Sequence, residues 1–272
     1  MALQAGSGPR GATRWDPDQY LKFADHRLRP ALELLGRVPL NAPNTVYDLG
    51  CGAGELTRLI SDKWPDASVT GVDNSADMLK SASATPSRVQ WEEADVRTWQ
   101  PATPPDLIYT NAALQWVDGH KELFPRLVSL LAPGGCLAVQ MPLSWASPSH
   151  RIMRQTLVDG GPGGTSLGTG ELQERVGRKW VDEADEYYDL LVGHTATIDI
   201  WETEYLQILS GDDPVLEWVK GTGLRPILNA LSEDQRATYL AEYARRLREA
   251  YPMRANGKTL YPFRRLFIVA TV

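Results

Sequence analysis

Residues 45–54, TVYDLGCGAG, constrain the fold more than any other stretch of the chain. TVYDL is an apolar run of strand length, and Leu56, Leu59, Ile60 and Trp64 beyond the glycines recur at helical spacing. A strand that passes through Gly50, Gly52 and Gly54 into a helix must turn sharply, which leaves backbone N–H groups open to a ligand at the helix start. The alternation continues with SVTGVD (68–73), a helix from about Ser75 to Ala84, and a short strand within RVQWEEAD. DLIYTN (106–111) follows, then a helix in HKELFPRLVSLLA with Pro125 inside it, and CLAVQM (136–141) after the turn Pro133-Gly134-Gly135. Strands separated by helices predict a parallel, doubly wound sheet covered on both faces.

After Met141 the pattern changes. Residues 143–193 read as helical, interrupted by GGPGGTSLGTG (160–170), whose six glycines and one proline predict a mobile loop. TATIDIWETEYLQIL (195–209) alternates as a strand, residues 212–250 are again helical, and RLFIVATV (265–272) closes the chain as a strand. The two late strands predict an antiparallel pair at one side of the sheet. The expected class is therefore α/β: a Rossmann-like, mostly parallel seven-stranded sheet with an antiparallel edge strand and helical lid insertions at about 143–193 and 210–260. Residues 1–14 read as a flexible tail and 15–272 as one domain. Asp16 and Pro17 open a helix that runs to about Arg37, Asp as an N-cap and Pro at a position whose N–H has no intrahelical partner.

Charge narrows the partners. With 28 basic and 34 acidic side chains the net charge is −6, which argues against broad capture of nucleic acid or of an anionic membrane. No stretch has the apolar length of a membrane span or of a signal-peptide core, so a cytoplasmic protein is expected, and a monomer. Cys51 and Cys136 form neither a disulfide framework nor a zinc site, and the four histidines show no metal-ligand spacing. Nine tryptophans among 23 aromatic residues fit either core packing or a partly aromatic ligand pocket.

The glycine loop itself discriminates between ligands. Pyrophosphate binders usually space their glycines G-x-G-x-x-G, whereas Gly50, Gly52 and Gly54 give G-x-G-x-G behind Asp48. An acidic residue beside the loop repels pyrophosphate and suits a cationic amine, so S-adenosylmethionine fits better than a dinucleotide. Asp73 ends the next strand, 19 residues beyond Gly54, where a carboxylate can accept from both ribose hydroxyls. DLGCGAG, Asp73, EADV with Asp95, and the PGG turn together resemble the successive motifs of class I S-adenosylmethionine-dependent methyltransferases over residues 45–142. That resemblance implies that Asp48 and the segment Gly50, Cys51, Gly52 and Gly54 line the methionine side of the cofactor. It also implies that Asp73 with Asn74 holds the ribose, that Asp95 with Val96 meets the adenine, and that Asn111 lies near the transferred methyl.

The flanking segments extend the likeness. WDPDQYLKFADHRLRPALELLGRVP, NAALQWV, AVQMP, EYYDLL, DIWETEY, WVKGTGLRP and RLFIVA resemble the trans-aconitate 2-methyltransferase family, with the N-terminal tail, residues 160–170 and ERVGRKW as departures. The family likeness implies methyl-ester formation on a small polycarboxylate, trans-aconitate above all, with Trp15 and Tyr20 on an N-terminal lid over the cofactor. A carboxylate is already ionised at neutral pH, so no catalytic base and no metal is expected. Arg225 and Arg265 are the leading candidates to grip the remaining carboxylates, since guanidinium binds carboxylate with two parallel hydrogen bonds. Tyr187, Tyr188, Trp145, Gln115 and His26 are further candidate wall residues, and His120 a weaker one, although paired tyrosines on a helix and a lone histidine equally suit a core. Other readings stay open: a different small acid, hydroxyl or amine as acceptor, a cofactor-binding module without turnover, or a nicotinamide-dependent dehydrogenase.

Overall fold

The structure, a computed structural model, describes the backbone of residues 24–272 and the side chains of residues 28–272. The expected 1–14 tail, the Asp16-Pro17 helix start, Trp15, Tyr20 and the His26 side chain lie outside the described residues. In chain order come α1 (Ala24–Arg37), β1 (Thr45–Leu49), α2 (Glu55–Lys63), β2 (Ser68–Asp73), α3 (Ala76–Ser83), β3 (Gln90–Glu93) and β4 (Leu107–Asn111). A 3-10 turn (Leu114–Trp116), α4 (His120–Ser129), β5 (Cys136–Pro142), α5 (Pro148–Asp159), α6 (Gly170–Gly177) and α7 (Ala184–Leu191) follow. The chain ends with β6 (Thr197–Leu209), α8 (Pro214–Lys220), α9 (Arg225–Leu228), α10 (Glu233–Ala250) and β7 (Thr259–Thr271).

The seven strands lie in the order β3-β2-β1-β4-β5-β7-β6. Strands β1 to β5 are parallel, and β7 runs antiparallel to both β5 and β6, so the late antiparallel pair closes one side of the sheet. The winding reverses between β1 and β4, and a sheet of this kind opens a crevice at the carboxyl ends of the strands on either side of that point. Local chemistry sets where several helices begin. Ser75 caps α3 by accepting from Met78 N–H, Ser147 caps α5 with Pro148 behind it, and Ser232 with Gln235 forms a capping box on α10.

Period-two alternation sends each strand's side chains to opposite faces, and each face has its own core. One holds Tyr47, Leu49, Ile108, Leu137, Val139, Leu266 and Ile268 beneath residues of α4 and α7. The other holds Val46, Tyr109, Ala138, Phe267 and Val269 against Leu34, Leu35 and Val38 of α1 and Ile60 of α2. A third core lies away from the sheet's centre. Met153, Leu157, Leu172, Trp218, Tyr239 and Tyr243 from α5, α6, α8 and α10 close around Tyr261 and Phe263 at the start of β7.

One expectation about the insertions changes and another is refined. The 143–193 stretch divides: α5 and α6 join the third core, whereas α7 covers the sheet through Tyr187 and Leu191. Where the glycines predict a mobile loop, residues 160–170 make specific contacts with the helical module. Gly161 N–H donates to Thr165 O and Leu167 N–H to Leu157 O, and Leu167 is buried in the third core. One apolar residue in a glycine-rich run is enough to anchor it when a core is adjacent.

Candidate active site at the carboxyl ends of the strands

The loop after β1 favours glycine at three positions, two of them with no room for a side chain. Gly50, Gly52 and Gly54 have φ of +76°, +55° and +76°, the left-handed region that other residues enter at a cost of about 1–2 kcal/mol. A Cβ on Gly50 would stand 2.2 Å from the Ala113 Cβ, and one on Gly54 would stand 2.2 Å from the Trp91 ring. Around Gly52 nothing lies within 4 Å, so a side chain there would project into the open crevice. This is the cradle a small ligand needs, and it fits a cofactor laid against the backbone. Val72 O, at the end of β2, accepts from both Gly50 N–H (2.7 Å) and Cys51 N–H (3.0 Å), which staples the loop to the sheet.

Acidic side chains flank this loop in different states. Asp73 accepts from Gly52 N–H and Ser75 N–H, each at 2.9 Å, so one carboxylate locks the loop to the start of α3. A carboxylate has about four lone-pair sites, leaving others open to ribose hydroxyls. The exposed Asn74 follows it. Asp48 is only 2% exposed and accepts from Thr57 Oγ1 at 2.6 Å. Burial pushes its pKa up to about 7, against the Thr57 bond and with help from the charge of Asp73. Burial also raises the Cys51 thiol far above its ordinary value, so it packs as an inert group. Asp95 is paired with Arg97, whose Nε reaches its two oxygens at 3.0 and 3.1 Å and holds its pKa down. Val96 is half-buried on the first core, and its carbonyl accepts from Arg126.

Across the switch point, β4 ends in Asn111, and Ala112 beyond it has φ +52°. The strained turn is held from two sides: Ala112 N–H donates to Gln140 O (2.9 Å), and Gln115 Nε2 donates to Ala112 O (2.6 Å). Asn111 Oδ1 and Gln115 Oε1 are buried with no partner among the described residues. Such a group costs about 1–3 kcal/mol unless something else satisfies it, and both stand just beyond or at the carboxyl end of β4, where ligands of such sheets bind. On the next strands Arg265 is 4% exposed, donates from Nη1 to Gln140 Oε1 at 3.1 Å, and lies over the Phe263 ring at 4.8 Å. Alternation puts Asp48, Asn111, Gln140 and Arg265 on the α1/α2 face of four strands, so a polar row crosses the sheet from β1 to β7 above an apolar floor.

Not every expected residue joins that row. Arg225 is half-buried at the start of α9, in the helical module; Gly223, two residues before it, packs against His150 of α5. His150 in turn bonds Ser144 Oγ (3.1 Å) in the loop that leaves β5, so the GTGLRP segment approaches the same carboxyl end of the sheet as Arg265. Trp145 stands in that loop, half-exposed, donating to Gly177 O and covered by the Arg154 guanidinium at 4.2 Å. Tyr187 and Tyr188 do not come to the site as expected. Both are on α7, which covers the opposite face of the sheet; Tyr187 is fully buried in that core and Tyr188 points to solvent.

The Tyr187 hydroxyl has a structural task. It accepts from Asp182 N–H and donates to His120 Nδ1 at 2.6 Å, while His120 Nε2–H donates to Leu114 O at 3.0 Å. Burial lowers the His120 pKa, and the neutral ring anchors the Leu114–Trp116 turn that carries Gln115. Sequence reasoning passed over Gln140. The signal was available: a glutamine near the end of the otherwise apolar run CLAVQM, at the strand end where ligands of such sheets bind. Among the described residues no group of His, Cys, Asp and Glu is placed to hold a metal, and no helix is long and apolar enough to cross a membrane.

Known proteins agree with this geometry. A family model described as a methyltransferase domain matches residues 46–135, from β1 to the turn before β5. The chain is 48% identical over 257 residues to a trans-aconitate 2-methyltransferase of Azoarcus sp. strain BH72, covering 94% of this chain and 98% of that one. Relatives of the same name from Pseudomonas aeruginosa (45% over 260 residues, 95% and 94% covered) and Streptomyces avermitilis (46% over 275 residues, 96% and 98% covered) match as fully. The fold is shared with the YcgJ protein of Bacillus subtilis, at TM-score 0.55 and 13% identity, over 91% of this chain and 98% of that one. It is also shared with the phosphoethanolamine N-methyltransferase 2 of Haemonchus contortus, at TM-score 0.52 and 15% identity, over 89% and 52%. At this identity and with near-complete coverage of both chains, the chain belongs to the trans-aconitate 2-methyltransferase family.

Proposed function

We propose that this protein transfers the methyl group of S-adenosylmethionine to a carboxylate oxygen of trans-aconitate, giving a monomethyl ester and S-adenosylhomocysteine. The observation that carries the reading is the polar row, with an acid-lined glycine loop at one end and a buried arginine at the other. When bound, the cofactor supplies an electrophilic methyl group on a sulfonium. Asp48 and the segment Gly50 to Gly54, Cys51 included, would hold its methionine side, and the unpartnered Asn111 Oδ1 would face the methionine near the transferred methyl. Asp73 and Asn74 take the ribose; Asp95, with the lone pairs that Arg97 leaves free, and Val96 take the adenine. Trp15, Tyr20 and His26 belong to the N-terminal segment that this reading makes the lid.

The acceptor needs no base, because a carboxylate is ionised at neutral pH. Two histidines, His120 buried and His150 half-buried, are consistent with this. His120 has both ring nitrogens engaged, and His150 bonds Ser144, Ser147 and Ser149 with its pKa lowered to about 4 by burial. Neither offers a free basic nitrogen to a hydroxyl acceptor. Catalysis then rests on aligning the carboxylate oxygen with the methyl group and on removing water from it. Arg265 and Arg225 hold the other carboxylates, with Gln115 and Trp145 on the wall. The net charge of −6 and the two buried thiols suit a small-molecule enzyme of the cytoplasm, acting as a monomer.

The test is turnover of labelled S-adenosylmethionine against a panel of di- and tricarboxylates. Methyl ester from trans-aconitate, in preference to hydroxyl and amine acceptors, supports the proposal. Normal binding of S-adenosylhomocysteine with no acid methylated would sink it and leave a binding module.

A further inference from the structure

Gln140 is fully buried in the strand beside Asn111, and its two amide atoms are in unequal situations. Arginine has donors only, so the 3.1 Å contact from Arg265 Nη1 fixes the glutamine's oxygen toward β7 and turns Nε2 the other way. Nε2 is buried with no acceptor among the described residues. Its neighbour across the β4–β5 pair, Asn111, shows the complement: an Oδ1 with no donor. An orphaned donor and an orphaned acceptor on adjacent strands, both at the carboxyl end, suit a ligand that brings an acceptor to one and a donor to the other. The guanidinium behind Gln140 polarises its amide and adds positive potential, so the acceptor that suits Nε2 is an anionic oxygen.

We infer that Gln140 donates from Nε2 to an unmethylated carboxylate of the acid substrate, held in that orientation by Arg265, and so selects for a polycarboxylate. The inference rests on the carboxyl-methyltransferase reading above and adds to it a specificity-determining residue. A carboxylate can come from the acid or from the methionine end of the cofactor, and the experiment separates the two.

Two variants serve. Gln140→Met keeps the length and removes the donor; Gln140→Glu keeps the shape and puts an anionic oxygen where the N–H stood. Each is measured for KM and kcat with trans-aconitate and with unsaturated dicarboxylates that each lack one of its carboxylates, for S-adenosylhomocysteine affinity by calorimetry, and for thermal stability. The expected result is a roughly 10- to 100-fold rise in KM for trans-aconitate in Gln140→Met, with a larger rise in Gln140→Glu and cofactor affinity within about threefold of wild type. For the dicarboxylate that lacks the contacted group, wild type and Gln140→Met converge, which a merely structural glutamine would not produce. Loss of S-adenosylhomocysteine affinity without a change in KM for the acid overturns the inference in favour of the cofactor's carboxylate. Unchanged constants throughout overturn it in favour of a water at Nε2. If wild type methylates no acid, the carboxylate reading fails and this inference with it; an active wild type matched by Gln140→Met sinks this inference alone.

Discussion

The cofactor end and the acid end of the crevice are built in opposite ways. At the cofactor end, Asp48, Gly50, Gly52, Gly54 and Thr57 come from one short run of chain, and Asp73 joins them from the next strand through two backbone hydrogen bonds. At the acid end, the contact between Gln140 and Arg265 joins residues 125 positions apart, across strands of opposite direction. The first end is made by backbone conformation and tolerates almost no side chain. The second is made by side chains that satisfy one another in a buried place, and its identity depends on a third core of helices holding β7 in register.

This contrast can be broken experimentally, and the largest effect is expected in the loop. Gly50→Ala places a Cβ 2.2 Å from Ala113 at a positive φ, so we expect a loss of about 2–5 kcal/mol of stability and at least a 100-fold drop in S-adenosylhomocysteine affinity, read by thermal melts and calorimetry. Arg265→Met should lower kcat/KM for the acid roughly 100-fold while leaving cofactor affinity within about threefold. A comparable loss in both would mean that the two ends are not separate. Asp73→Ala and Arg225→Ala sharpen the same division: the first should weaken the cofactor on the order of tenfold, the second should raise KM for the acid by a similar factor.

A smaller effect concerns pH. Burial raises the Asp48 pKa from the ordinary aspartate value to about 7, so its carboxyl favours folding while protonated, and that contribution is lost as pH rises through about 7. Stability curves of wild type and Asp48→Asn should therefore separate in the variant's favour between about pH 4 and pH 7, and parallel curves would show that Asp48 is ionised throughout. The smallest effect is expected for Tyr188→Ala. On the far face of the sheet and exposed, it should leave KM and cofactor affinity within about twofold, as surface positions away from a site usually do.

Some of the acid end was legible all the same. Arg265 stands out as a cation at the start of the terminal strand RLFIVATV, and Arg225 came into view through the likeness of WVKGTGLRP to the family. Tyr187 and Tyr188 were not legible, because their helix has an amphipathic pattern that fits either face of a sheet; packing of α7 beside α4 decided it, and the His120–Tyr187 bond shows what the hydroxyl was for. Residues 160–170 were half legible: their glycine content reports conformational freedom of the chain, but not that Leu167 is buried in the third core. Gln140 was hidden by its apolar surroundings. Nothing in CLAVQM states that the glutamine's neighbour two strands of sequence later is an arginine.

By itself the sequence determined whatever depends on near neighbours: the strand–glycine–helix turn, the alternation that makes a parallel sheet, and the spacing from Gly54 to Asp73, all set by backbone sterics and by the two periods of regular structure. Only the tertiary structure decided which buried polar groups meet. The partner of a buried donor is chosen by strand order and register, and β7 lies between β5 and β6 because three cores are filled at once. That is why the cofactor loop could be read from ten residues, and why the grip on the acid required the whole chain.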